Sequence, residues 1–144
     1  MSKKFFIDNL IDDSKYDLAL SKAQELKKLN PDDSDIYWQI ARCYFEVLDQ
    51  SDDKSIKKEN AYKGIEFAKK SIKMNPKNSQ AHHWYAVLIG QIGVLEGTKQ
   101  KIENSYKVRK HALIAIKLDP DYDGTLHVMG RWHYELANLS KAER

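Results

Sequence analysis

The sequence predicts an all-α solenoid of antiparallel helix pairs, with about six main helices in a single domain spanning 1–144. Two observations carry this. The phrases Leu29-Asn30-Pro31, Met74-Asn75-Pro76 and Leu118-Asp119-Pro120 each end a helix-patterned stretch and precede another. Registered on those prolines, the flanking segments agree: Ala41, Ala86 and Gly130 stand ten residues after them, the large residues Ile40, Tyr85 and Met129 stand one position earlier, and Ala23, Ala68 and Ala112 stand eight before. Small residues at fixed places let one helix approach the next, so the register reads as one packing geometry repeated along the chain.

The elements follow in order. Ala19, Leu20, Ala23, Leu26 and Leu29, spaced by three and four, put an apolar stripe on a helix over Tyr16 to Leu29, which Pro31 stops. Asp32, Asp33, Ser34 and Asp35 offer caps for a helix from Ile36 to about Leu48, with Ile36, Tyr37, Ile40, Ala41, Tyr44 and Val47 inward. After a polar loop at Gln50 to Ser55, Ala61, Ile65, Ala68 and Ile72 repeat the first stripe on a helix over Ile56 to Met74. Ser79 caps the next, Gln80 to about Ile92; Gly93 and Gly97 mark a break; further helices run from Ile102 to Leu118 and from Thr125 to about Leu139. The prolines lie 45 and 44 residues apart, longer than a 34-residue tetratricopeptide unit. The surplus falls near 49–59 and 93–103, as longer helices or as a loop on one face.

Both ends read as cut: Phe5 to Ile11 resemble the last turns of an earlier helix, and the chain stops where its last helix would need a partner. A fragment of a longer domain is therefore expected. The alternative is a homodimer through the face carrying Met129, Leu136 and Leu139.

Bulk composition narrows the function. Lys and Arg number 24 against 21 Asp and Glu, and the pI near 8.8 does not by itself imply nucleic acid. The lone cysteine, Cys43, sits in an apolar helix stretch and reads as a core filler. No signal peptide is evident, and no run approaches the ~20 apolar residues that span a bilayer, so a soluble chain without a membrane segment is expected. His82 and His83 are neighbours and His127 and His133 are six apart, neither spacing placing two ligands on one helix face, so no metal is expected. Without a phosphate-cradling glycine loop or a nucleophile motif, neither catalysis nor a cofactor is expected.

The proline phrases, the small residue ten further on and the preceding alanine resemble tetratricopeptide repeats. From about Tyr16, and most strongly over Ala81 to Tyr134, the chain also resembles the regulator of microtubule dynamics family: in Ala81-His82-His83-Trp84-Tyr85-Ala86, in Glu96-Gly97-Thr98-Lys99, in Ile116-Lys117-Leu118-Asp119-Pro120, and in Thr125-Leu126-His127-Val128-Met129-Gly130-Arg131-Trp132. That resemblance implies a tetratricopeptide-like protein-interaction module, with tubulin or microtubules as partner and a cytoplasmic place at the cytoskeleton or spindle. It also implies that some members reach membranes through an N-terminal segment, which is not expected within the sequence given.

In a tetratricopeptide solenoid the first helix of each pair lines the concave groove. This nominates Trp38, Arg42 and Phe45, then His83 and Val87, then His127, Arg131 and Tyr134 for a protein or peptide partner, an acidic one suiting Arg42 and Arg131. The competing reading packs Trp38 and Phe45 on neighbouring helices and leaves the arginines solvated. The Lys and Asn pattern that holds a C-terminal carboxylate in some chaperone-binding repeats is missing. A second candidate surface is basic: Lys99, Lys101, Lys107 and Lys110.

Overall fold

A computed structural model describes Leu10 and residues 15–142, the side chains of Tyr16, 135, 136 and 138–142 excepted. Besides helical Leu10, it contains six helices: α1 (Tyr16–Leu29), α2 (Ser34–Asp49), α3 (Lys54–Met74), α4 (Ser79–Glu96), α5 (Thr98–Leu118) and α6 (Asp123–Ala142). Each packs on the next, and α4 also meets both α2 and α6. This is the arrangement of a solenoid of helix pairs, in which α2, α4 and α6 line up as the first helices of successive units.

Local chemistry sets the boundaries. Asp33 caps α2 by accepting from the Asp35 amide at 3.1 Å, and Asp53 caps α3 by accepting from Ser55 and Ile56 at 2.9 and 3.2 Å. Ser79 does not cap α4; it is the first helical residue, after Asn78. Asn78 instead donates to Asp35 Oδ1 at 2.7 Å and Ser34 Oγ at 3.1 Å, and the Ser34 hydroxyl donates to the Ser71 carbonyl at 2.8 Å. The ends of α2, α3 and α4 are thus tied by a buried polar network with its donors matched to acceptors.

The surplus length of each unit is helical. α3 and α5 both run 21 residues, and α4 continues through Gly93, where a break was expected. An added Cβ there would stand 2.9 Å from the Lys101 Cα, so glycine permits the close approach of α4 and α5. The true break is Gly97, a one-residue connection at φ +103°, a backbone angle that other residues rarely adopt.

Ala19, Ala23, Leu26, Ile36, Ile40 and Cys43 form one core between α1 and α2, with Leu10 and Phe67 against it. A larger core runs from Ala41 and Leu48 through Ala61, Ile65 and Ala68 to Tyr85, Ala86, Leu88 and Ala112. Five of the six registered small residues are fully buried. The sixth, Gly130, is exposed, and a Cβ added to it would meet nothing within 4 Å. Leu29, expected inward, is 71% exposed at the last position of α1. In α2 it is Leu48 rather than Val47 that is fully covered. The side chains of Leu136 and Leu139, on which the dimer expectation rests, and residues Phe5, Phe6, Ile7 and Ile11 lie outside those described.

The wedge between α4 and α6

Where α2 meets α4 the first helices are closely joined: the Phe45 and Trp84 rings lie 5.5 Å apart and the Arg42 guanidinium lies over Trp84 at 5.7 Å. α4 and α6 meet over a shorter stretch. His83 Nδ1 lies 2.9 Å from the buried Thr125 hydroxyl and the His83 ring meets Tyr122 edge-on at 5.0 Å. Farther along, α6 is held to α5 instead, by the Trp132 indole donating to the Ser105 carbonyl at 2.7 Å. Between these attachments is a cavity of about 390 Å³.

Its walls are Trp84, Val87, Gly90 and Val94 of α4 and Gly124, His127, Val128, Arg131 and Trp132 of α6, with Asn104, Ser105 and Val108 of α5 at its base and Phe45 of α2 at one end. The polar groups at the base are engaged with their own surroundings: Asn104 donates to the Ile89 carbonyl at 3.3 Å and Ser105 to the Ile102 carbonyl at 2.6 Å. Lys101 and Arg131 also line the space and, among the described residues, no carboxylate does, so its wall is apolar and aromatic with a cationic margin. Such a wall is complementary in shape and charge to an apolar group beside a negative one.

Burial decides what the histidines do. His83 is 3% exposed, and that burial, aided by the charge of Arg42, lowers its pKa from 6.5 to about 4. It is held neutral and joins α4 to α6. Thr125, at 1% exposure, cannot present its hydroxyl to a substrate, so the pair is a structural joint and not a nucleophile with its base. On the far side of α4, His82 Nε2 must donate to the Pro76 carbonyl at 2.7 Å, and its Nδ1 is hydrogen-bonded to His111 Nδ1 at 2.9 Å. Burial, then His82 and the nearby Lys110 and Lys107, lower the His111 pKa to about 4. The described residues hold no group of three or more His, Cys, Asp or Glu placed to bind a metal, and no helix long and apolar enough to cross a membrane.

Of the groove residues read from sequence, Phe45, His83, Val87, His127 and Arg131 line the cavity. Trp38 stands apart, donating to Asp35 at 2.9 Å and packed on the main core, and Arg42 pairs with Glu46 at 3.8 Å while covering Trp84. Tyr134 is 68% exposed and outside it. The four lysines divide: Lys101 lines the cavity, whereas Lys99, Lys107 and Lys110 are exposed elsewhere on α5. Sequence reading missed Trp84, Val128 and Trp132. The signal was present, since each stands one residue after a nominated position; a groove face drawn one residue wider on each helix includes them. A second hollow of about 590 Å³ lies over Leu29 to Asp35 against Met74 and Asn75; its Asp33 and Asp35 side chains are occupied in capping and in the network above.

Solved structures resemble the fold. The first TPR domain of the human RPAP3 protein superposes with a TM-score of 0.72 at 12% identity, over 96% of this chain and 93% of that one. TTC0263, a thermophilic TPR protein of Thermus thermophilus, gives 0.60 at 14%, over 94% and 80%. By sequence, the chain is 31% identical to Regulator of microtubule dynamics protein 1 of Bos taurus over 99% of its own length and 47% of that protein's, and 33% identical to Regulator of microtubule dynamics protein 3 of Xenopus laevis over 82% and 26%. It thus spans less than half the length of these relatives. The model of the family described as Regulator of microtubule dynamics protein 1-3 matches residues 6–144, and with a tetratricopeptide-like solenoid beneath that match, the chain belongs to this family.

Proposed function

We propose that the chain is a non-catalytic protein-interaction module serving regulation of microtubules, and that a partner segment binds in the wedge between α4 and α6. The cavity carries this reading: it is apolar, aromatic and concave, its margin holds Lys101 and Arg131, and it lies on the first helices of successive units. The relatives' names supply the microtubule setting, and with it a place at the cytoskeleton. A segment that inserts an apolar side chain between Val87 and Val128 and sets a carboxylate near Arg131 matches the walls in shape and charge.

Co-pelleting of the purified chain with microtubules at low salt tests the reading. The wild type pellets, and a Lys101→Glu/Arg131→Glu variant, whose substitutions lie at the cavity margin, stays in the supernatant. Pelleting that the double substitution leaves unchanged removes the wedge from the account. A wild type that pellets only after lysate is added turns direct contact into an adaptor role, and one that never pellets removes the microtubule assignment.

A further inference from the structure

Charge is segregated between the two helices of each unit. α3 carries seven lysines against two glutamates and α5 carries six cations against Glu103, whereas α2 has three carboxylates against Arg42 and α4 has Glu96 alone. The two basic helices are not alike. In α3, Lys58 pairs with Glu96 at 3.4 Å, Lys63 with Glu59 at 3.0 Å and Lys69 with Glu66 at 3.7 Å. In α5, among the described residues, no carboxylate pairs with Lys99, Lys107, Arg109, Lys110 or Lys117. Lys107 and Lys110, three apart on one helix, repel each other.

Helical geometry gathers part of this charge around two exposed apolar residues. Lys99, Tyr106, Lys110, Leu113 and Lys117 fall within about 60° of the α5 circumference and extend roughly 27 Å along it. The opposite side is buried, through Asn104, Val108, Ala112 and Ala115. Tyr106 is 73% exposed and Leu113 42%, one helical heptad apart with Lys110 between them.

We propose that this solvent face of α5 is a second interaction surface, for an acidic polypeptide segment that carries apolar residues. It lies on the other side of α5 from the cavity and goes beyond the wedge reading. Tyr106 and Leu113 are the contact points for the apolar residues, and the lysines before, between and after them meet carboxylates of the segment. A bilayer is a poorer match: a helix fixed in a solenoid with two exposed apolar side chains lacks the continuous apolar face that an interfacial helix inserts. Single-stranded nucleic acid is poorer too, since it stacks successive bases on several aromatics and Tyr106 is the one aromatic of the stripe.

The test is fluorescence anisotropy of a labelled synthetic peptide of glutamates with a leucine at every fourth place, titrated with the whole chain at low salt and without microtubules, so that it is read apart from the wedge. The wild type binds it, and binding is lost when salt shortens the screening length to about 3 Å. Lys110→Glu/Lys117→Glu weakens binding about tenfold or more, Lys110→Gln/Lys117→Gln by less, and Tyr106→Ser by about threefold, as expected for two charge contacts and one apolar contact. All these positions are exposed, and an unchanged far-UV circular dichroism spectrum checks that the variants fold. The Lys101→Glu/Arg131→Glu variant binds as the wild type does. The proposal is overturned by no binding by the wild type, equal binding by the charge-reversed variant, equal binding of a peptide with glutamine for glutamate, or loss in the Lys101/Arg131 variant. Capture of phosphatidylserine vesicles without capture of the peptide overturns it in favour of a membrane surface.

Discussion

α4 has two junctions, and they are built differently. Toward the preceding units it is closed: Leu88 is fully buried with its methyls over Gly64 of α3, and Trp84 lies between Phe45 and Arg42 of α2. Toward α6 it is pinned near one end by His83 and Thr125 and stands open beyond. The units also differ six residues after each proline. Tyr37 donates to the Pro31 carbonyl at 3.0 Å and His82 to that of Pro76, while the third position is Leu126, 48% exposed, with no polar atom to reach back. The same repeat register therefore yields a filled core at one junction and an open wedge at the other. The difference lies in the side chains that reach across and in the shorter stretch over which α4 meets α6.

If the first junction is a filled core, Leu88→Ala should show the largest effect, lowering the unfolding free energy by about 2–5 kcal/mol in a denaturant titration. The range reflects how far α3 and α4 can close over the gap. A loss below 1 kcal/mol, taken as roughly the floor for deleting well-packed methyls, would mean that this junction is as loose as the other. Ala86→Leu should come next, at about 1–3 kcal/mol, because the alanine is fully buried in the main core, where added methyls displace their neighbours. An unchanged melting temperature would show that the small-residue register does not mark close packing.

How much of this the sequence disclosed depends on what each residue faces. Helix order, the stops at Pro31, Pro76 and Pro120, and the burial of Ala23, Ala41, Ala68, Ala86 and Ala112 were legible, since each follows from spacing within one segment. The open junction was not. Gly130 occupies the same register place as Ala86, and only the position of α6 relative to α4 shows that, among the described residues, nothing lies against it. Trp38 and Arg42 looked groove-facing for the same reason: the helical wheel gives a direction, while Asp35, Glu46 and Trp84, which engage them, come into reach through tertiary packing. Lys101 was grouped with its basic neighbours because sequence distance does not distinguish the buried side of α5 from its solvent side.

A pH titration sharpens the comparison at the pin. His83 has its pKa lowered to about 4 in the folded chain, by burial and then by Arg42, against about 6.5 when unfolded. Below pH 6.5 the unfolded chain takes up a proton that folded His83 refuses, so the stabilisation present above that pH is lost as pH falls toward about 4. His111, lowered to about 4 by burial first and then by His82 and the lysines, adds to the same window. His83→Gln keeps a polar partner for Thr125 and has no ring to protonate, so its melting temperature should fall less across the window than that of the wild type. Equal slopes for the two proteins would mean that His83 is not held neutral in the joint between α4 and α6.

The smallest effect belongs to the open side and has the opposite sign. Gly130 is within α6, its φ is not positive, it is exposed, and a Cβ there meets nothing within 4 Å. Replacing a glycine in a helix interior by alanine restricts the unfolded chain, so Gly130→Ala should raise stability by about 0.5–1 kcal/mol, measured as a higher denaturation midpoint with an unchanged slope. The equivalent change at Gly93 should destabilise, because its new Cβ would stand 2.9 Å from the Lys101 backbone, which cannot move without parting α4 from α5. The two glycines thus report on the two kinds of surface that α4 and α6 present. If Gly130→Ala also destabilises, something lies against that residue in solution, and the open wedge gives way to a covered junction.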